Sequence, residues 1–598
     1  MCRIAGIASL ENPQEARRLV QSMTQSMAHG GPDDEGIYQS ENVTLGHRRL
    51  SIIDLSSAGH QPMVHPNGNL VLSFNGEIYN FRELRRELEG RGVTFRSHSD
   101  TEVIMEAYIA WGPSSFVRFR GIFAFALLDV GASRLMLVRD YPGVKPMYYS
   151  AKPGRIVFAS EVKSFMRVDH RWDEDPRWRK IFLAFGYLPQ PYSTLKDVVA
   201  LRPGHYLDIN LKDVSFREVR YQLDDQDVSR YADERSALDA VRDAVHTAVR
   251  RNIIADAPLV VFLSGGIDSS LLTLLSHKDI GDGLVTVSVN FDEAQFDEKP
   301  FQDIVLKLTS DKNHQSFRVD EQMLWNSIGS IWQAMDQPTI DGVNSYFVSM
   351  AAHNAGLKAV LSGLGADELF GGYASAKRVE WLRYLRGLPA KDFIASIAGR
   401  FKRQYQRVNY LSLDNSVGDA LFLRGIHSVR SISGILDCSE ADVWATLKGI
   451  EVQRSVEMKG AHDATALEYD FYMKGQLLKD TDFMSMRFGL EARVPFLDQD
   501  LINVACRAMK DHHDHSQPKY LLTKAFEGVI PHEIIHRQKR GFTFPFHVWL
   551  AKRLRANNDL LTPQLSKALP VDPFLAGKAH WSQVWSGVVL NQYKTSER

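Results

Sequence analysis

Short apolar runs broken by turn residues dominate the first third of the chain. Val71-Leu72-Ser73-Phe74, Gly121 to Asp129 and Arg134 to Arg139 read as strands, and Pro66-Asn67-Gly68 and Lys152-Pro153-Gly154 as turns. Helical periodicity takes over at about 13–28, 80–90 and 102–111. Ile4 to Ala8 reads as a buried strand beginning at or just after Cys2. This mixture predicts a layered α+β domain. Beyond a polar stretch at about 222–234 the pattern changes. A helix-like segment leads into an apolar strand from Leu259, which runs into a loop of small residues and then a helix. Further strands, Leu284 to Phe291 and Leu357 to Leu361, alternate with helices at 300–309 and 345–355. Such alternation predicts an α/β domain with a doubly wound parallel sheet, ligands at the carboxyl ends of its strands, and a helical C-terminal part. The expected domains are 1–215 and 235–598.

Length agrees, since 598 residues exceed one core. Lys and Arg number 71 against 72 Asp and Glu, so no global field draws the chain to nucleic acid or to an anionic membrane. Any phosphate binding has to be local. Three cysteines, Cys2, Cys438 and Cys506, are too few for a disulfide framework and fit a reducing compartment. No signal-peptide pattern is present, and no apolar run reaches the roughly 18–20 residues of a membrane span. The expectation is a soluble cytoplasmic protein.

Candidate chemistry begins at Cys2. Once Met1 is removed, its thiol and a free α-amino group belong to one residue, and the amine titrates near enough to the thiol to take its proton. Arg49 offers a guanidinium fork to a carboxylate. Asn75-Gly76-Glu77, after an apolar strand, offers a side-chain amide and a backbone N–H to an oxyanion. Asp100, in Ser99-Asp100-Thr101-Glu102, can take an ammonium group. Plainer readings exist: Asn-Gly as a turn, Ser-Asp-Thr-Glu as a helix cap with its capping box, Arg49 as a surface ion-pair partner.

Together with Gly31-Pro32-Asp33, Arg139-Asp140 and Gly143-Val144-Lys145-Pro146, these segments resemble the class II glutamine amidotransferases, which are N-terminal-nucleophile (Ntn) hydrolases. The resemblance implies that Cys2 attacks the glutamine amide and that Asn75 and Gly76 stabilise the oxyanion. It also implies that Arg49 binds the α-carboxylate, that Glu77 and Asp100 hold the α-amino end, and that Asn75 contacts the glutamine. One departure is Gly30, where the family usually has Arg within His-Arg-Gly-Pro-Asp.

The second loop, Ser264-Gly265-Gly266-Ile267-Asp268-Ser269-Ser270, places small residues and a helix N-terminus where phosphates can bind, but lacks the Gly-Lys-Ser/Thr ending of a P-loop. It resembles the pyrophosphate loop of ATP-pyrophosphatases, enzymes that activate a carboxylate as its adenylate. With Ser362-Gly363-Leu364-Gly365-Ala366-Asp367-Glu368 and Glu491 to Asp498, the likeness is to the synthetase domain of glutamine-hydrolysing asparagine synthetases. Lys519 to Leu522 and Arg537 to Phe542 continue it.

That likeness implies ATP as substrate and Mg²⁺ between Asp268 and Asp367. Pyrophosphate would lie in Ser264, Gly265, Gly266, Asp268, Ser269 and Ser270, and adenosine among Leu263, Val289, Ser362 and Gly363. Lys519 would neutralise developing charge. Val494 to Leu497 reads as core packing. The departure here is Leu364, where such synthetases usually carry an acid implicated in ammonia transfer. Either another carboxylate such as Glu368 serves, or the acceptor is not aspartate. The readings left open are amidation of aspartate, amidation of another small carboxylate in polysaccharide or natural-product biosynthesis, and a regulatory or binding protein with a silent synthetase site. Glutamine, ATP and a small carboxylate are the expected partners, with no nucleic acid or membrane, and the chain leaves room for a homodimer. Basic segments between 374 and 465, at Lys377-Arg378 and Arg400 to Arg407, read as solvated helix faces.

Overall fold

The computed structural model describes residues 2–168, 172–221, 230–373, 378, 379, 384, 403–452, 463–512, 514, 517–537, 544–557 and 559–593. The first third holds two antiparallel six-stranded sheets. In one, Arg3–Ser9 is central, paired with Val43–Arg49 and Arg155–Ala159. In the other, Leu70–Ile78 pairs with Gly121–Asp129, which pairs in turn with Arg134–Arg139. Ile4, Ala8 and Leu45 of the first sheet share a core with Val71, Ala124, Leu137 and Leu207 of the second. The outer faces carry helices: Leu19, Val20 and Met23 pack on Ala5 and Ile7, and Leu84, Val103 and Ile104 on Leu72 and Phe74. Helices therefore cover both outsides of two stacked sheets, the layered arrangement read from the pattern.

Gly121–Asp129 and Arg134–Arg139 have the expected bounds. Leu70–Ile78 is longer than expected. It runs on through Asn75, Gly76 and Glu77, so Asn-Gly lies inside a strand rather than in a turn.

The second part is built on a five-stranded parallel sheet ordered Gln315–Arg318, Val285–Asn290, Leu259–Phe262, Ala359–Leu361, Glu491–Arg493. Leu259–Phe262 comes first in sequence and lies in the middle, so later strands are added first on one side and then on the other. The two outer strands were illegible beforehand because Gln315-Ser316-Phe317-Arg318 and Glu491-Ala492-Arg493 lack an apolar run. Loops leaving Leu259–Phe262 and Ala359–Leu361 meet where the order reverses, at the carboxyl ends, the usual ligand crevice of such sheets. Val494, Phe496 and Leu497 are core residues, as read. Of the basic segments expected on solvated faces, Arg378 is exposed and Arg407 half-buried, both donating to Leu423 O. Lys377 and 400–402 lie outside the described residues, as do 538–542.

Both parts are in contact. Buried Arg3 pairs with Glu161 at 2.7 Å and crosses to Asp482 at 2.8 Å, and Lys358 reaches Asp33 at 2.7 Å. The Arg3 side chain explains Gly30. A Cβ there would lie 2.8 Å from Arg3 Cγ and 3.1 Å from Met486 Cε, so Arg3 already fills the space a larger residue would need.

Candidate functional site

Cys2 precedes the Arg3–Ser9 strand and is buried. Its N–H donates to Asn75 Oδ1 at 3.1 Å, and its Sγ lies 3.9 Å from Leu50 O. With Oδ1 so engaged, Asn75 Nδ2 is left buried and without a hydrogen-bond partner. An unpartnered buried donor on a residue bonded to Cys2 is the kind of group an oxyanion satisfies, although Asn75 itself does not line the Cys2 pocket. Gly76 adopts φ +148, and a Cβ there would fall 2.1 Å from Ile122 O, so no larger residue keeps this strand in register.

Cys2, Arg49, Gly76, Glu77 and Asp100 line one pocket. The Arg49 guanidinium donates to Asp54 O and to Ser56 O, the latter at 2.9 Å, which holds it rigid and buried instead of leaving it a surface ion-pair partner. Gly59 leaves room for it. Asp100 opens the helix Asp100–Trp111, capped by Ser99 through Thr101 N–H at 3.1 Å. The cap is as read, but the capping box is not. Glu102 turns back to Arg96 N–H, Ser97 N–H and the Ser97 hydroxyl. Asp100 Oδ2 accepts the Ile78 N–H at 2.9 Å, which locks the helix to the Asn75-Gly76-Glu77 strand.

Burial controls the electrostatics here. It pushes the Cys2 thiol up, against the amino terminus, the Leu50 contact and Arg49, which lower it. It pushes Asp100 up to about 6, with the hydrogen bond from Ile78 opposing and Glu491 adding to the rise. Glu77 rises well above the usual carboxylate range through burial and the charges of Glu491 and Asp100, opposed by Arg493. Gln61 and Leu50 also line or face this pocket and carried no sequence signal.

In the second part, Gly265 adopts φ +75 and a Cβ would lie 2.8 Å from Phe301 Cβ. The turn is tied by Ser264 N–H to Ser269 Oγ at 3.2 Å, and Gly266 caps the helix Ile267–Ile280. Ser270 Oγ is buried without a hydrogen-bond partner. Gly363 packs on this loop, since a Cβ would lie 2.8 Å from Asp268 Cβ. Lys519, buried and in the left-handed region, joins both loops. Its Nζ stands 2.5 Å from Asp268 Oδ2 and 2.7 Å from Asp367 Oδ1. Burial works against the ammonium, but the two carboxylates outweigh it and raise its pKa.

Asp268 and Asp367 are thus brought within the span of a single cationic centre. Among the described residues no group of three or more His, Cys, Asp or Glu side chains forms a metal cluster. Two convergent carboxylates fit a hard cation that keeps water and phosphate as its other ligands.

Leu263 and Val289 are core residues of different clusters, so only their strand ends face the crevice. Two residues without an assigned role also belong here. Gly372 leaves room for Asp367, because a Cβ would lie 1.7 Å from its Oδ1, and Arg537 stands beside Gly266 and pairs with Glu298 at 2.7 Å. Leu364 is half-buried against the apolar cluster of Leu369, Phe370 and Val494. Glu368, one turn on, is buried and accepts the Tyr373 hydroxyl at 2.6 Å. Burial and the Asp367 charge push it up to about 7.

Comparison with known proteins agrees with this two-part arrangement. Residues 1–222 match the glutamine amidotransferase domain model and 240–580 the asparagine synthase model. The chain belongs to the asparagine synthase family. It is 31% identical to asparagine synthetase [glutamine-hydrolyzing] 1 of Bacillus subtilis, over 93% of this chain and 88% of that protein. It is 30% identical to a putative asparagine synthetase [glutamine-hydrolyzing] of Mycobacterium tuberculosis, over 91% and 87%. Glutamine phosphoribosylpyrophosphate amidotransferase from B. subtilis, solved with ADP and GMP, aligns at a TM-score of 0.29 and 15% identity over 53% of this chain and 81% of that one, too loosely to define a fold. The two domain matches and the relatives support glutamine-dependent, ATP-consuming amidation as the chemistry of this family member. Among the described residues no helix is long and apolar enough to cross a membrane.

Proposed function

We propose that an Ntn-hydrolase glutaminase, 1–215, feeds ammonia to a doubly wound ATP-pyrophosphatase synthetase, 235–598, which amidates an adenylated carboxylate. Once Met1 is removed, the Cys2 α-amine takes the thiol proton, Sγ attacks the glutamine side-chain carbonyl with Asn75 Nδ2 and the backbone at Gly76 facing the oxyanion, and the proton passes to the departing nitrogen. Arg49 holds the α-carboxylate, and Glu77 and Asp100 the ammonium. Ammonia leaves, and water then releases glutamate from the thioester. At the second site the acceptor carboxylate attacks the α-phosphorus of ATP and pyrophosphate leaves, held by Ser264 to Ser270. Ammonia attacks the acyl carbon, loses a proton and displaces AMP. Asp268 and Asp367 would hold Mg²⁺, which neutralises phosphate charge when bound, and Lys519 bears on the same oxygens.

A small pocket lies at the contact of the two parts, with Arg139, Val144 and Tyr148 on one side and Leu478, Lys479 and Phe483 on the other. It marks where ammonia, which water would protonate, could pass between the parts.

The observation that carries the reading is the meeting of Lys519, Asp268 and Asp367 at the crossing of the two glycine loops. Aspartate is the first acceptor to test. Leu364 favours the second reading, another small carboxylate, unless Glu368 takes the proton lost by ammonia. Pyrophosphate release from ATP, Mg²⁺ and glutamine, measured with and without aspartate while asparagine is followed by mass, decides. Aspartate-dependent pyrophosphate with equal asparagine supports an asparagine synthetase. Glutamate release without either product points to another acceptor.

A further inference from the structure

A side chain of the second part reaches a residue that lines the Cys2 pocket. Arg493 ends the edge strand of the parallel sheet, and its carbonyl accepts the Ser362 N–H at 2.9 Å. Its guanidinium, fully buried, points the other way. Nε pairs with Glu491 at 2.6 Å, and Nη1 donates to Asn252 O at 2.7 Å and Ile254 O at 2.6 Å. Those three contacts fix the planar fork and leave one direction, Nη2, without a hydrogen-bond partner. Nη2 lies 3.8 Å from Glu77 Oε1, while Glu77 Oε2, also buried, has no hydrogen-bond partner either. Glu77 lines the cavity that holds Cys2.

We propose that Arg493 is a positioning residue for glutamine, supplied to the glutaminase pocket by the synthetase domain. It fixes Glu77 through Oε1 and leaves Oε2 to accept the substrate ammonium. The proposal rests on the reading that Glu77 holds glutamine. A lone carboxylate would not stay charged there: Glu491 faces it from the edge strand and Asp100 from the helix below, and both repel its charge. Arg493, with the amino terminus, is the counterweight. The same strand end accepts a hydrogen bond from the Ser362-Gly363 loop, so the partner of Glu77 and that loop are tied to each other.

The test is steady-state glutamate release by the full-length enzyme with glutamine alone, across pH 5 to 9, for the native protein, Arg493→Met and Arg493→Lys. Loss of one charge-assisted contact to a bound carboxylate predicts a KM for glutamine raised about tenfold or more in Arg493→Met, with kcat little changed. The acid limb of the KM profile should move to higher pH, because Glu77 then keeps its proton longer, and Arg493→Lys should recover part of both effects. A native KM and pH profile in Arg493→Met overturns the proposal. So does a fall in kcat with KM and the pH limb unmoved, the mark of a residue that only holds the fold. If Arg493→Met does not fold, Arg493→Gln, which keeps a hydrogen-bonding side chain against Glu491 and the two carbonyls, carries the same KM and pH test. Absence of glutamate release by the native enzyme is a different failure, that of the glutaminase reading itself.

Discussion

The two sites are built in opposite ways. The crevice between the glycine loops is assembled from consecutive residues, since Ser264 to Ser270 and Ser362 to Asp367 each run off a parallel strand, and one lysine locks the two loops together. The Cys2 pocket has no consecutive core. Cys2, Arg49, Glu77 and Asp100 come from four segments, joined by strand pairing, by the Asp100 bond to Ile78, and by a side chain from the other domain. A local site needs only its loop to form. A composite one needs the whole sandwich and its neighbour in register, so its geometry answers to distant changes.

The largest effect should separate the two sites outright. Cys2→Ala should lower glutamate release by about a thousandfold or more, while pyrophosphate release supported by ammonium chloride in place of glutamine persists. Loss of both activities together would mean that the sites are not separable.

Lys519→Met is the mirror image. If Lys519 neutralises phosphate charge as proposed, its removal should cut pyrophosphate release by about a hundredfold or more and leave glutamate release near the native rate. A glutaminase that falls equally would show that the lysine holds the crevice for the benefit of both halves.

Glu368→Gln sharpens the comparison within the crevice. If Glu368 stands in for the acid absent at Leu364, amide product should fall about a hundredfold while pyrophosphate release continues, since only proton removal from ammonia is lost. Unchanged product formation would return the question to the acceptor.

The smallest effect is in pH. Asp100 titrates near 6, so it carries a proton and no charge below that value and is a carboxylate above it. Glutamine binding should therefore weaken a few-fold per unit as pH falls through about 6. Asp100→Asn should show the weaker binding at every pH and lose much of this slope. A native KM flat to pH 5 would remove Asp100 from the ammonium site.

Much of this was legible in residues. Strand bounds at Gly121–Asp129 and Arg134–Arg139 follow from apolar runs between turn residues, and the glycine loop before Ile267–Ile280 from small residues between a strand and a helix. Asn75-Gly76 was legible as chemistry but not as geometry. Nothing local distinguishes a turn from a strand whose partner, Phe123, approaches so closely that only glycine fits. Arg493 was legible as neither, because a three-residue edge strand has no periodicity and its importance lies in what its side chain reaches.

By itself, the sequence named the candidate reacting groups and determined the two-part order of the chain and the two departures at Gly30 and Leu364, since these depend only on residue type and spacing. The tertiary structure decided the rest. Arg3 fills the place of a side chain at Gly30, Asn75 turns one amide atom to Cys2 and leaves the other free, and Lys519 is held between two aspartates. It also decided that Glu77 shares its charge with an arginine more than 400 positions away. The physical reason is burial. Removed from water, these groups can be satisfied only by one another, and which of them meet is set by long-range packing that no local pattern records.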